Sequence, residues 1–135
     1  MMSIMFLALG CLIFILLGSI HWRSVLYTNK FEPEDNAILD MMKNNNSKIT
    51  DQTSIWNGLT GFHISHSLGL IIFGVLYITL AIDNPDYLFS SIILKTYLLV
   101  LPVIYILLAQ KYWFSLPRNG FIIGFVLIIL SVVLS

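Results

Sequence analysis

Long apolar runs broken by short polar segments set the pattern of this chain. Four runs, residues 4–22, 58–82, 87–110 and 119–134, come near the roughly 20 mostly apolar residues that a helix needs to cross a bilayer. Residues 23–57 form the one long polar stretch. The pattern predicts an all-α integral membrane protein. Its fold is a four-helix antiparallel bundle in a single transmembrane domain, residues 1–135, with a short amphipathic cap helix on the cytoplasmic side. The first run reads as a retained helix. Met1-Met2-Ser3 brings no Lys or Arg, and the run is longer than the roughly 7–15 residues of a signal-peptide core.

At about 100° per residue the second run has two unlike faces. Thr60, His63, His66, Ser67, Leu70, Gly74 and Tyr77 share one. Gly61, Ser65 and Gly69 form a small-x-x-x-small ladder on another. Small residues let helix backbones approach closely, so this helix is expected at the centre of the bundle, in contact with helix 1 and with helix 3 or 4. Helix 1 offers Gly10, Cys11, Phe14, Gly18 and His21 on one face. Gly10, Gly18, Gly61, Ser65, Gly69 and Gly74 are therefore the expected packing positions.

The breaks carry their own signals. Phe31-Glu-Pro-Glu-Asp35 places a proline and acids where a helix starts. Ala37, Ile38, Met41 and Met42 then form an apolar stripe, and Asn44-Asn45-Asn46 end it. That segment is expected to lie on the membrane surface or cap the bundle. Thr50 or Asp51 is the expected N-cap of the second spanning helix. Asn84-Pro85 reads as N-cap and N1 of the third, whose Pro102 is expected to kink it. Lys95 is expected to snorkel to the interface, and Tyr77, Tyr97, Tyr105 and Tyr112 to pack.

Only 10% of the 135 residues are charged and 58% are hydrophobic, against about 25% charged in a soluble domain. The formal net charge is zero, which gives no bulk attraction to nucleic acid. Cys11 is the one cysteine, so an internal disulfide and a C-x-x-C redox pair are both excluded. Arg23, Lys30, Lys43, Lys48, Lys111 and Arg118 fall on one side of the spans and Lys95 on the other. The positive-inside rule makes the first side cytoplasmic and puts both termini outside. Trp22, Trp56 and Trp113 mark the cytoplasmic interface.

The chain has three histidines, and all are expected in one polar layer near the cytoplasmic leaflet. His21 ends helix 1, while His63 and His66 enter helix 2. Ser67, Gln110, Asn119 and the acids Glu32, Glu34 and Asp35 are expected close by. His21 and His66 are expected to face each other across the two helices. Three uses stay open. The layer can be structural, in a protein that binds lipid, a membrane partner or a second copy of itself. It can bind haem or a divalent metal, with His21 and His66 as ligands. It can serve a small enzyme acting on a lipid or quinone, with a histidine as acid or base.

Gly18-x-x-His21-Trp22, Thr28-Asn-Lys-Phe-Glu-Pro33, Trp56 and Gly61-Phe-His-Ile-Ser-His-Ser-Leu-Gly69, in that order, resemble a family of small bacterial four-span membrane proteins. The resemblance covers about the first 80 residues. It implies the inner membrane of a bacterium and brings no activity with it. An amide often stands in that family where this chain has His63, which implies His21, His66 and Ser67 as the motif residues.

Overall fold

Six helices and one small hairpin follow in the order α1 (Met2–Tyr27), α2 (Asn36–Asn44), β1 (Asn46–Ser47), β2 (Thr50–Ser54), α3 (Ile55–Asp83), α4 (Pro85–Ser90), α5 (Ile92–Tyr112) and α6 (Ser115–Val133) in the computed structural model, which describes residues 1–135. Helices α1, α3, α5 and α6 are each long and apolar enough to cross a membrane. The chain divides into two compact units. One comprises residues 1–17 and 70–135, the other residues 18–69.

The larger unit is built on helical spacing. Leu7, Cys11 and Phe14 of α1, and Leu70, Phe73, Tyr77 and Ala81 of α3, are buried at intervals of three and four residues. Leu88, Leu98, Ala109, Phe121 and Ile128 complete the core. Phe14 sits at its centre, 5.1 Å from the Phe73 ring and 5.3 Å from the Phe121 ring. Glycines make the close approaches. A Cβ on Gly10 would stand 2.8 Å from the Gly124 carbonyl oxygen, and one on Gly74 would stand 2.7 Å from the Cys11 carbonyl oxygen. No side chain larger than hydrogen fits there. The outward faces carry Leu9, Leu12, Leu16, Leu107 and Ile123, an apolar exterior that suits hydrocarbon rather than water.

Local chemistry sets the breaks. Asn84 Oδ1 accepts from the Tyr87 N–H at 3.2 Å, with Pro85 in the first turn of α4. Ser91 then ends α4 and caps α5 by accepting from the Leu94 N–H at 3.3 Å, so the third run is two helices rather than one. α5 continues through Pro102, which is buried. Tyr77 Oη donates to the Leu94 carbonyl oxygen at 2.8 Å, tying α3 to the first turn of α5. α1 extends to Tyr27, past its apolar run, and α6 starts at Ser115, ahead of its own.

The smaller unit holds the polar linker, and three expectations change there. α2 begins at Asn36, after Pro33, because Asp35 Oδ1 accepts from the Ala37 N–H at 2.8 Å and acts as its N-cap. Residues 46–54 form an antiparallel β1–β2 hairpin with an irregular register, which the polar sequence did not signal. Ser54, and not Thr50 or Asp51, caps α3, accepting from the Asn57 N–H at 3.2 Å. Thr50 and Asp51 are already committed to β2. The asparagine run acts through its side chains. Asn44 and Asn45 donate to the Asp40 and Met41 carbonyls as α2 ends, and Asn46 donates to the Asp51 carbonyl across the hairpin.

Candidate functional site

The smaller unit brings the three histidines together. α1 delivers His21 from its last two turns, and α3 delivers His63 and His66 from its third and fourth turns. Position 66 follows 63 by three residues, so both rings project from neighbouring strips of one helix face. His21 Nε2 lies 3.1 Å from His63 Nδ1, within hydrogen-bond distance. One ring N–H fills that gap and the other ring supplies the lone pair, so each imidazole satisfies one polar atom of the other. His66 meets His21 edge to face, with ring centroids 5.5 Å apart and planes at 74°. All three rings are partly buried.

Two phenylalanines complete the cluster. The Phe31 ring stands 4.7 Å from that of His21, nearly edge-on, and 5.0 Å from that of His63. It therefore covers the His21–His63 pair. Phe62 lies parallel to His66, with centroids 6.3 Å apart. A turn delivers Phe31. Thr28 Oγ1 donates to the Ser24 carbonyl at the end of α1, and the Glu32 N–H donates to the Asn29 carbonyl at 3.0 Å. Neither phenylalanine was among the expected site residues. The available signal was that Phe31 is the one aromatic residue between Thr28 and Ser54.

The other expected members have separate roles. Ser67 is fully buried and donates to the His63 carbonyl oxygen of its own helix at 2.9 Å, so its hydroxyl is spent locally. Asp35 caps α2, and Glu32 and Glu34 are exposed. Gln110 and Asn119 belong to the larger unit, where Arg118 donates to both, at 2.9 Å and 3.3 Å. His21 is hydrogen-bonded to His63 and also meets His66, the residue expected to face it, edge to face. No group of three or more His, Cys, Asp or Glu side chains is set to hold a metal ion.

The small ladder of α3 is the main correction. Gly61, Ser65 and Gly69 are exposed, and a Cβ on Gly58 or Gly61 would meet nothing within 4 Å. They do not pack helices within the chain. The reason is angular. The ladder lies on the side of α3 opposite His63, Ser67, Leu70 and Gly74, and the chain's own contacts fall on the latter side. Ser65 Oγ turns back to the Phe62 carbonyl at 2.9 Å, leaving a smooth, nearly apolar edge. Gly10 and Gly74 are packed as expected, and Gly18 is buried. Comparison with protein-family models, curated proteins and solved structures finds no match to this chain.

Proposed function

We propose that this chain is a multi-pass membrane protein that works by association rather than by catalysis. The first half of α3 pairs with the same helix of a second copy, while the histidine cluster behind it holds that helix half in position. One observation carries the reading: the Gly58, Gly61, Ser65, Gly69 edge is left uncovered directly behind His63 and Ser67. Helices associate in lipid through close backbone approach at small residues, and a small-x-x-x-small stripe is complementary to itself about a two-fold axis. From 61 to 69 the stripe runs about 12 Å, a little over two turns. Exposed Phe62, Leu68 and Ile72 flank it and supply the side chains that would pack around the crossing. The setting adopted is a bacterial inner membrane, as the family resemblance implies, with the linker inside and both termini outside, as the charge bias of the breaks implies.

The test is cysteine crosslinking in native membranes. Cys11 is buried, so an introduced thiol is the accessible one. Ser65→Cys and Gly61→Cys should form disulfide-linked dimers on mild oxidation. Ile64→Cys, about 100° round the helix from Ser65, should not. Gly61→Leu should abolish the Ser65→Cys crosslink. Monomer at every position, or equal crosslinking at 64 and 65, overturns the reading.

A second reading has its own observation. Two imidazole nitrogens bound to one tetrahedral zinc ion stand about 3.3 Å apart, close to the 3.1 Å between His21 and His63. A divalent metal would displace the shared proton once both rings turned their lone pairs toward a point beside the N–N line, with His66 as the nearest further imidazole. Titration of purified protein with zinc should in that case show near-stoichiometric binding that His63→Ala removes. Protein that takes up no zinc leaves the cluster as a hydrogen-bonded, structural one.

A further inference from the structure

We propose that α2 is an interfacial helix whose Ile38–Met41 side lies in the headgroup–acyl boundary of the membrane that α3 enters. The sequence of α2 is Asn-Ala-Ile-Leu-Asp-Met-Met-Lys-Asn. At about 100° per residue, Ala37, Met41, Ile38, Met42 and Leu39 fill a continuous apolar arc of about 200°. Asn36, Asp40, Lys43 and Asn44 occupy the remaining arc without an apolar interruption. The chain itself covers one end of the apolar arc. Leu39 is buried and Met42 partly so. The other end is bare, with Ile38 48% and Met41 65% exposed.

Neighbouring residues identify what covers it. Ile38, Met41 and Met42 line a shallow cleft together with Asn45 and Ile55. Ile55 is the first residue of α3, a helix long and apolar enough to span a membrane. Leu59 and Phe62 continue the exposed apolar surface along α3 for the next two turns. The bare side of α2 is thus continuous with the flank of a spanning helix at its entry point, beside Trp56. A lipid interface satisfies both surfaces at once, with the Asp40–Lys43 side left in water. Ile49, at the tip of the β1–β2 hairpin, is 93% exposed and gives the same unit a further apolar point for that boundary.

The experiment uses the full chain in phosphatidylcholine–phosphatidylglycerol vesicles, with a nitroxide on a single introduced cysteine. Wild type serves as the control for labelling of buried Cys11. Met41→Cys and Ile38→Cys should collide more with oxygen, which partitions into lipid, than with a water-soluble nickel chelate. Lys43→Cys and Asp40→Cys should show the reverse. The oxygen-to-nickel ratio at 41 should exceed that at 43 several-fold. Met41 is exposed, so the label does not disturb a packed site. Equal, water-like ratios at 41 and 43 would falsify the proposal. Spin–spin broadening at 41 that disappears on dilution with unlabelled protein would place a second copy on this face and overturn it equally.

Discussion

Alanine at two glycines should change stability in opposite directions. At Gly10 the added Cβ would lie 2.8 Å from the Gly124 carbonyl oxygen, 2.9 Å from Ile128 Cγ1 and 3.3 Å from the Ile128 nitrogen. Two of those atoms are backbone of α6, which cannot rotate away. The helices must separate by roughly half an ångström, and a gap of 0.5–1 Å forfeits about a quarter to a half of each dispersion contact along the crossing. Overpacking of this kind typically costs about 1–3 kcal/mol. Phe14 cannot absorb the shift, since it is fully buried between Phe73 and Phe121. At Gly61 the added Cβ meets nothing within 4 Å, and alanine brings about 1 kcal/mol of helix propensity. Alanine brings the same propensity gain at Gly10, which also lies in a helix, so the two variants should differ by the overpacking cost, about 1–3 kcal/mol. The assay is reversible unfolding of dilute protein in mixed micelles by an added denaturing detergent. Tryptophan fluorescence reports it, because Trp113 stands 6.2 Å from the Phe121 ring of the α6 core. Dilution keeps the protein monomeric, so pairing through α3 does not enter. Gly10→Ala as stable as Gly61→Ala would refute the account of both glycines.

Three further outcomes are expected. His63→Asn should retain most of the wild-type stability, because Asn Oδ1 attaches at Cγ just as His Nδ1 does and can accept from His21 Nε2–H. His63→Leu should lose about 1–3 kcal/mol by leaving a partly buried ring nitrogen unpaired. Both are read in the same unfolding assay, and equal losses would mean that the His21–His63 bond contributes nothing. Ser131→Ala should be neutral or stabilise by up to about 1 kcal/mol, since the Ser131 hydroxyl is fully buried with no hydrogen-bond partner; a clear loss of stability would reveal a contact on that oxygen. For orientation, an alkaline phosphatase fusion after Ser135 should be active and one at Asn45 inactive, with the reverse pattern overturning the charge-bias topology.

The residues themselves decided whatever depends on near neighbours. Four apolar runs determined four helices of spanning length, because the length of a run and its backbone demand are local quantities. Asn84-Pro85 determined the start of α4 in the same way, since a side-chain oxygen three residues from an orphan N–H is enough to cap a helix. The histidine faces were also legible: one wheel places His63 and His66 on the same side of α3. Tertiary structure alone decided which of them meets the Nε2 of His21, because a small rotation of one helix against another changes the partner without changing either sequence pattern. It decided likewise that Phe31 covers the pair, since the turn at Asn29–Glu32 can aim that ring anywhere until α1 and α3 are placed. The two small faces of α3 make the division plainest. Gly74 and the Gly61, Ser65, Gly69 ladder read alike along the chain, as invitations to close approach. Which invitation the chain itself takes up depends on where Cys11 and Ile15 of α1 lie. They lie against Gly74, and the ladder is left facing outward.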